Sequence, residues 1–295
     1  MIVDRLAERV IETVQACTPL QRQALRRALV VGLEGPEQIA LWEAVRPALY
    51  ADSADDTASL ADLRAAAEEM PFEAWAAFND LIFHLHRGNI FDDGITRLEG
   101  GGIEFAFAQA ARWHQFLALV EEEREYLGIA SPLVLDAGCW QGTLICELLQ
   151  RGYAVGGCDI SAGMEEVVRE RVSWLKPDDA ARFLGFRAGP IHESLAGPDT
   201  QNRFDIVCCQ ETLEHVPARV LQQTCDALVG AARHTVLTTT PWDDGWSLHL
   251  HAFTEADLRR LFHDEDPQRQ VECLVPAAFG NYTTMRVRHH QQEAQ

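Results

Sequence analysis

The run Val134-Leu-Asp136-Ala-Gly138-Cys-Trp-Gln-Gly142, followed by an apolar run that closes at Asp159, limits this chain more than any other segment. Leu133 to Leu135 reads as a short buried strand running into an acidic, glycine-bearing turn. A helix is expected over Thr143 to Arg151, stopped by Gly152, and a second strand over Tyr153 to Cys158. A strand–turn–helix–strand unit of this kind binds a nucleoside at the carboxyl ends of its strands. Gly138 and Gly142 lack a Cβ, so the backbone can approach a ligand closely. Asp159 stands 23 residues after Asp136, near the ~20-residue offset at which a carboxylate meets ribose hydroxyls.

The turn also narrows the nucleoside. A dinucleotide site uses G-x-G-x-x-G so that a pyrophosphate rests on the helix N-terminus. Gly138-Cys-Trp-Gln-Gly142 fails that pattern, and there is no G-x-x-x-x-G-K-[ST]. The Asp136 carboxylate opposes a phosphate and suits a cationic ligand group.

From residue 131 onward, expected strands and helices alternate, which indicates a parallel sheet with helices on both faces. Strands are expected at 182–188, 204–210, 234–241, 271–275 and 282–288. The short connection between the last two implies an antiparallel pair at the sheet edge. Ser161 is a candidate helix cap, Pro217 suits a first helical turn, and Thr254-Glu-Ala-Asp257 reads as a capping box. Ahead of the sheet, amphipathic helices are expected at 2–17, 20–33, 36–50, 60–70 and 72–87. Residues 88–102 read as a loop, and a helix over about 104–127 leads into strand one. The expected domains are a helical N-terminal region, 1–110, and a nucleoside-binding domain, 111–295.

Four segments in order carry a family resemblance. The turn at 134–142 resembles motif I of class I S-adenosylmethionine (SAM) methyltransferases. Phe204-Asp-Ile-Val-Cys-Cys-Gln210-Glu211-Thr-Leu-Glu214-His215 resembles their fourth strand and following loop, and His234 to Pro241 their fifth strand. Phe253-Thr254-Glu-Ala-Asp257-Leu resembles the start of the next helix, and the resemblance spans roughly residues 110–290. It implies a Rossmann-like α/β fold: a mostly parallel seven-stranded sheet with an antiparallel last strand, plus the N-terminal helices. It implies SAM as cofactor, held by Asp136, Gly138, Cys139, Gly142, Asp159, Ile160 and Gln210. The chain departs from the pattern where Trp140 replaces the middle glycine, and where the third strand lacks an acidic residue for the adenine amine.

Methyl transfer from a sulfonium needs nucleophile, methyl carbon and sulfur in line, and a poorly acidic hydroxyl needs its proton taken. His215 is the candidate catalytic residue. If its turn were helical, Glu211, Glu214 and His215 would share one face. That set, with His249 downstream, resembles the metal site of small-RNA 2′-O-methyltransferases, and similar metal-assisted chemistry occurs among ubiquinone-pathway O-methyltransferases. The resemblance implies Glu211, Glu214, His215 and His249 as ligands of Mg²⁺ or Mn²⁺, with His251 as the alternate. In the plainer reading the carboxylates cap or pack and only His215 lies near the methyl. The N-terminal helical region is expected to act as a substrate lid, against the plainer reading of a cap that packs on the sheet or makes a dimer surface. Trp113 and His114, just before strand one, are lid candidates, and His84 and His86 are candidates for substrate contact, against the plainer reading of core residues.

Composition bears on the acceptor. The net charge is −20 and Lys176 is the only lysine. Residues 1–128 carry 11 basic against 22 acidic side chains, the remainder 14 against 23, so no half offers a basic patch. This disfavours a nucleic-acid partner and favours a small-molecule acceptor methylated at a hydroxyl oxygen. RNA 2′-O-methylation and a non-catalytic SAM-binding role are the alternatives. The eight cysteines show no C-x-x-C spacing, which suits a reducing cytoplasm. Charges at Asp4, Arg5, Glu8 and Arg9 oppose a signal peptide, and no apolar run reaches 18 residues. Homo-oligomerisation is left open.

Overall fold

The parallel strands of the sheet are largely apolar, and helical crossovers join them. The structure, a computed structural model, describes residues 2–29, 35–51, 57–85, 95–105, 110–241, 245–274 and 282–289. They divide into two compact units: 1–93 with 243–250, and 94–242 with 251–295.

The first unit is helical: α1 (Ile2–Ala16), α2 (Pro19–Ala28), α3 (Pro36–Leu49), α4 (Leu60–Glu68) and α5 (Phe72–Leu85). The entries of α2 and α4 are fixed by capping boxes. Thr18 and Gln21 exchange side chain–backbone bonds across the first, Ser59 and Asp62 across the second. Leu25, Leu41, Val45, Leu49, Leu63, Leu81 and Leu85 are buried, and buried Asp80 is paired with Arg9. The segment 243–250 completes this unit. Trp246 Nε1 donates to the Ala28 carbonyl at 3.2 Å and Ser247 Oγ to the Ala24 carbonyl at 2.9 Å.

The second unit opens with a small antiparallel hairpin, β1 (Ile95–Arg97) and β2 (Ile103–Phe105), where a loop was expected. Three-residue strands are too short to show an alternating pattern. Helix α6 (Ala110–Leu127) therefore starts later than expected. Then come β3 (Leu133–Ala137), α7 (Thr143–Gln150), β4 (Ala154–Asp159), α8 (Gly163–Ser173), α9 (Pro177–Ala180), β5 (Phe183–Ala188), α10 (Ile191–Ser194) and β6 (Phe204–Gln210). After a 3₁₀ turn at Leu213–His215, the chain runs through α11 (Ala218–Ala231), β7 (Ala232–Pro241), α12 (Glu255–Leu261), β8 (Arg269–Leu274) and β9 (Tyr282–His289).

The seven strands lie in the order β5-β4-β3-β6-β7-β9-β8. All neighbours are parallel except β9, which is antiparallel to both β7 and β8, as expected. The order reverses between β3 and β6, which opens a ligand crevice at their carboxyl ends. One face of the sheet packs Leu135, Val207, Cys209 and Val236 against α11 and α12. The other packs Val134, Ile206, Cys208 and Leu237 under α6 and α7, through Phe116, Val120, Leu144 and Leu148.

Glu123 of α6 ties that second face to β7 and β9. It is 0% exposed. It accepts a hydrogen bond from Thr235 Oγ1 at 2.8 Å and bonds Arg288 Nε at 3.0 Å, and its carboxylate is 2.9 Å from Arg286 Nε. Breaking a buried pair from one side costs about 3–5 kcal/mol. Glu123→Ala is therefore expected to lower unfolding stability by that amount in a urea titration. A loss below ~1 kcal/mol would show that α6 is held by apolar contacts alone.

Candidate functional site

The turn after β3 is shaped by the strand beside it. Gly138 N–H and Cys139 N–H both donate to the Cys158 carbonyl, at 2.8 and 3.0 Å, and Gly142 N–H closes onto the Cys139 carbonyl at 2.8 Å. Gly138 (φ 76) and Gly142 (φ 74) are left-handed. A Cβ on Gly138 would overlap the Thr212 side chain, 2.8 Å from Thr212 Cβ, and one on Gly142 would lie 2.8 Å from Val168 Cγ2. Glycine is thus required twice, by φ and by space.

Trp140 is left-handed too, with φ 47. This explains why the family pattern favours glycine there, since an L-residue pays about 1–2 kcal/mol for the conformation. The conformation turns Trp140 N–H onto Asp159 Oδ2 at 3.0 Å, while Asp159 Oδ1 accepts Ser161 N–H at 2.9 Å. The N-cap position of α8 falls on Ala162, which makes no side-chain bond, and not on Ser161 as expected. Ile160, between the two, is half-buried.

Asp136 and Asp159 end adjacent strands and are 4% and 5% exposed. Burial, followed by repulsion from Asp159, pushes the Asp136 carboxyl up to about 8. Burial pushes the Cys139 thiol up as well, so this turn offers no ready thiolate.

Arg171 of α8 was not foreseen as part of the site. It is buried, and its guanidinium donates to the Gln141 carbonyl at 3.2 Å, to Thr143 Oγ1 at 3.4 Å and to the Gln141 side chain, fixing the turn from behind. Its one sequence signal is its place on the apolar stripe Met164–Val168–Val172 of α8.

The turn after β6 packs against the turn after β3 through Thr212 and Gly138. Gln210, last in β6, is 8% exposed, and neither side-chain amide atom has a hydrogen-bond partner among the described residues. Glu211 is left-handed (φ 49), and the 3₁₀ turn begins only at Leu213, so the single helical face conditionally expected for Glu211, Glu214 and His215 is not formed. Glu211 instead faces β9, accepting a long 3.5 Å hydrogen bond from Tyr282. Glu214 is fully buried and His215 half-buried, with a carboxylate oxygen and a ring nitrogen within 4.8 Å of each other. Those two donor atoms fit neighbouring ligand positions on a divalent ion. His251 Nε2 lies 2.8 Å from the Val216 carbonyl. Since a carbonyl only accepts, that nitrogen carries a hydrogen and is lost as a ligand. His249 belongs to the 243–250 segment of the helical unit. His84 is half-buried in α5, His114 is exposed on α6, and His86 and the Trp113 side chain lie outside the described residues.

Two outcomes follow for a cationic nucleoside ligand. A carboxyl raised to about 8 binds more protons folded than unfolded, so the ligand-free protein loses stability as pH rises from about 4 to about 8. Binding of SAM, which favours ionised Asp136, should strengthen over pH 6–8 by up to about tenfold per unit and level off above. Calorimetry from pH 6 to 9 checks this, and a flat profile would remove Asp136 from ligand binding. Asp159→Ala should weaken SAM binding at least tenfold, because the tie between the two turns is lost; unchanged affinity would show that the crevice keeps its shape without that carboxylate.

Comparison with known proteins follows this geometry. A methyltransferase-domain family model matches residues 134–235. The chain is 34% identical over 117 residues to the ubiquinone biosynthesis O-methyltransferase of Pseudomonas paraeruginosa, covering 39% of this chain and 47% of the relative. It is 33% identical over 113 residues to the enzyme of that name from Alkalilimnicola ehrlichii, covering 38% and 43%. The chain thus spans about half the length of the curated relatives it matches. The small RNA methyltransferase HEN1 shares the fold, with a TM-score of 0.50 at 15% identity over 65% of this chain and 27% of that one. The motif turn, the strand order and the family match agree: residues 134–235 carry a methyltransferase domain of the S-adenosylmethionine-dependent kind.

Proposed function

We propose that the protein transfers a methyl group from SAM to a small-molecule acceptor, at a hydroxyl oxygen. The observation that carries this reading is the packing of Thr212 on Gly138, which brings the His215-bearing turn against the cofactor turn. In this reading Asp159 and Ile160 line the ribose and base. Asp136, the Gly138–Gly142 turn with Cys139, and Gln210 face the methionine end. His215 accepts the acceptor's proton as the methyl group passes. The O-methyltransferase relatives support oxygen as the acceptor atom, and the net charge of −20 supports an acceptor other than nucleic acid.

Glu214 and His215 would hold a divalent ion such as Mg²⁺ or Mn²⁺, with Glu211 as a further ligand that the family resemblance implies. Such an ion lowers the pKa of an acceptor hydroxyl and holds its oxygen. In either version the protein's own task is to orient the acceptor against the sulfonium and keep water out.

His215→Ala is expected to reduce turnover by about 10²–10⁴-fold, the usual contribution of a general base, with SAM affinity within about twofold of wild type. Full turnover would remove His215 from the chemistry. For the metal version, chelation should abolish turnover and Mn²⁺ should restore it. Turnover unaffected by chelator would leave His215 acting as base alone.

A further inference from the structure

Gln210, at the methionine end of the site described above, is the first of three side chains across the outer half of the sheet that share one property. Register pairs Gln210 of β6 with Thr239 of β7, and Thr239 with Thr284 of β9. Register partners project from the same face, so the three form one row. Strand spacing of ~4.8 Å makes the row about 10 Å long. It begins at the crevice between β3 and β6 and runs away from Asp136. Exposure falls along it from 8% at Gln210 to 1% at Thr239 and 0% at Thr284. Both Gln210 amide atoms and both threonine hydroxyls lack a hydrogen-bond partner among the described residues.

Buried polar groups are ordinarily satisfied, and each exception calls for a reason. Valine has nearly the shape of threonine and would fill these two positions without an unsatisfied hydroxyl. Such groups are retained where something polar meets them. The cofactor reading places SAM over β3 and β4, with the methyl group toward β6. An acceptor in line with that methyl group lies on the β6–β7–β9 side, along the row.

We propose that Gln210, Thr239 and Thr284 form the acceptor-recognition row, and that the acceptor is a polyoxygenated small molecule whose hydroxyl or carbonyl groups satisfy them. The proposal rests on the methyltransferase reading and deepens it. A buried site built to hydrogen-bond an oxygen rejects analogues lacking it by a factor on the order of 10⁴, because its own groups are then left unpaired. Such a row selects for oxygenation along the acceptor, whereas an apolar wall would select for shape.

The test uses the full chain saturated with S-adenosylhomocysteine. Pyrogallol and myo-inositol serve as oxygenated probes and phenol as the control, with binding read by calorimetry. At least one oxygenated probe should bind tenfold or more tightly than phenol. Thr239→Val and Thr284→Val should abolish that preference while S-adenosylhomocysteine affinity stays within about twofold. Both variants should melt at or above the wild-type temperature when ligand-free, since each removes an unsatisfied hydroxyl, whereas a merely structural hydroxyl would lower it. Thr239→Ser, which keeps the hydroxyl, should retain the preference. Binding of phenol equal to both probes, absence of binding by either oxygenated probe, or a preference that survives both valine substitutions would overturn the assignment. Failure of S-adenosylhomocysteine itself to bind would instead overturn the cofactor reading on which it rests.

Discussion

One carboxylate organises the ligand crevice. Asp159 reaches from the end of β4 to the Trp140 N–H of the neighbouring turn and to the Ser161 N–H of its own. Charge-assisted bonds of this type are stronger than neutral ones. Here they hold two loops that follow different strands, and with them Gly138, Gly142 and Ile160. The same arrangement keeps Asp136 close to a second buried acid and pushes its carboxyl up to about 8. The ligand-free crevice is therefore electrostatically frustrated. A cationic ligand would relieve this repulsion and an anionic one would add to it.

Much of this crevice was legible in the sequence because its determinants are local. Asp136, Gly138, Gly142 and Asp159 fall within 24 consecutive residues, and the left-handed turn and the paired acids they form follow from their residue types. The antiparallel edge pair was legible as well, because a short connection leaves no room for a crossover. Other features depend on partners far apart in sequence. Glu123 meets Arg288 across 165 positions, and Arg171 meets Gln141 across 30. Neither pairing leaves a local signal beyond a charge at a core-facing position. The β1–β2 hairpin was missed because its strands are three residues each, and the N-cap of α8 because it falls on Ala162, one residue past Ser161.

The turn after β6 shows how a pattern can be read correctly in composition and incompletely in geometry. Glu211, Glu214 and His215 have helical spacing, but a left-handed residue at Glu211 breaks the helix before it starts. Glu211 is turned toward Tyr282, leaving Glu214 and His215 as the close pair. The polar row from Gln210 to Thr284 was hidden for a related reason: it exists only once strand register is known. Three threonines in succession in β7 read as ordinary β-formers until their hydroxyls are seen to be buried.

The segment 243–250 has a consequence for how the protein is made. It follows β7 in the chain, yet its Trp246 and Ser247 bond to carbonyls of α2 in the helical unit. That unit cannot be completed when its first 93 residues leave the ribosome. It must wait until the chain is extended past residue 250, roughly 10–30 s later at ~5–20 residues per second. During that interval the Ala24 and Ala28 carbonyls lack their eventual donors, while most of the sheet's strands have already been synthesised. The helical unit therefore matures after β7 and does not lead folding from the N-terminus. A nascent chain arrested before Trp246 would carry an unfinished helical unit, making that window the vulnerable stage of its biogenesis.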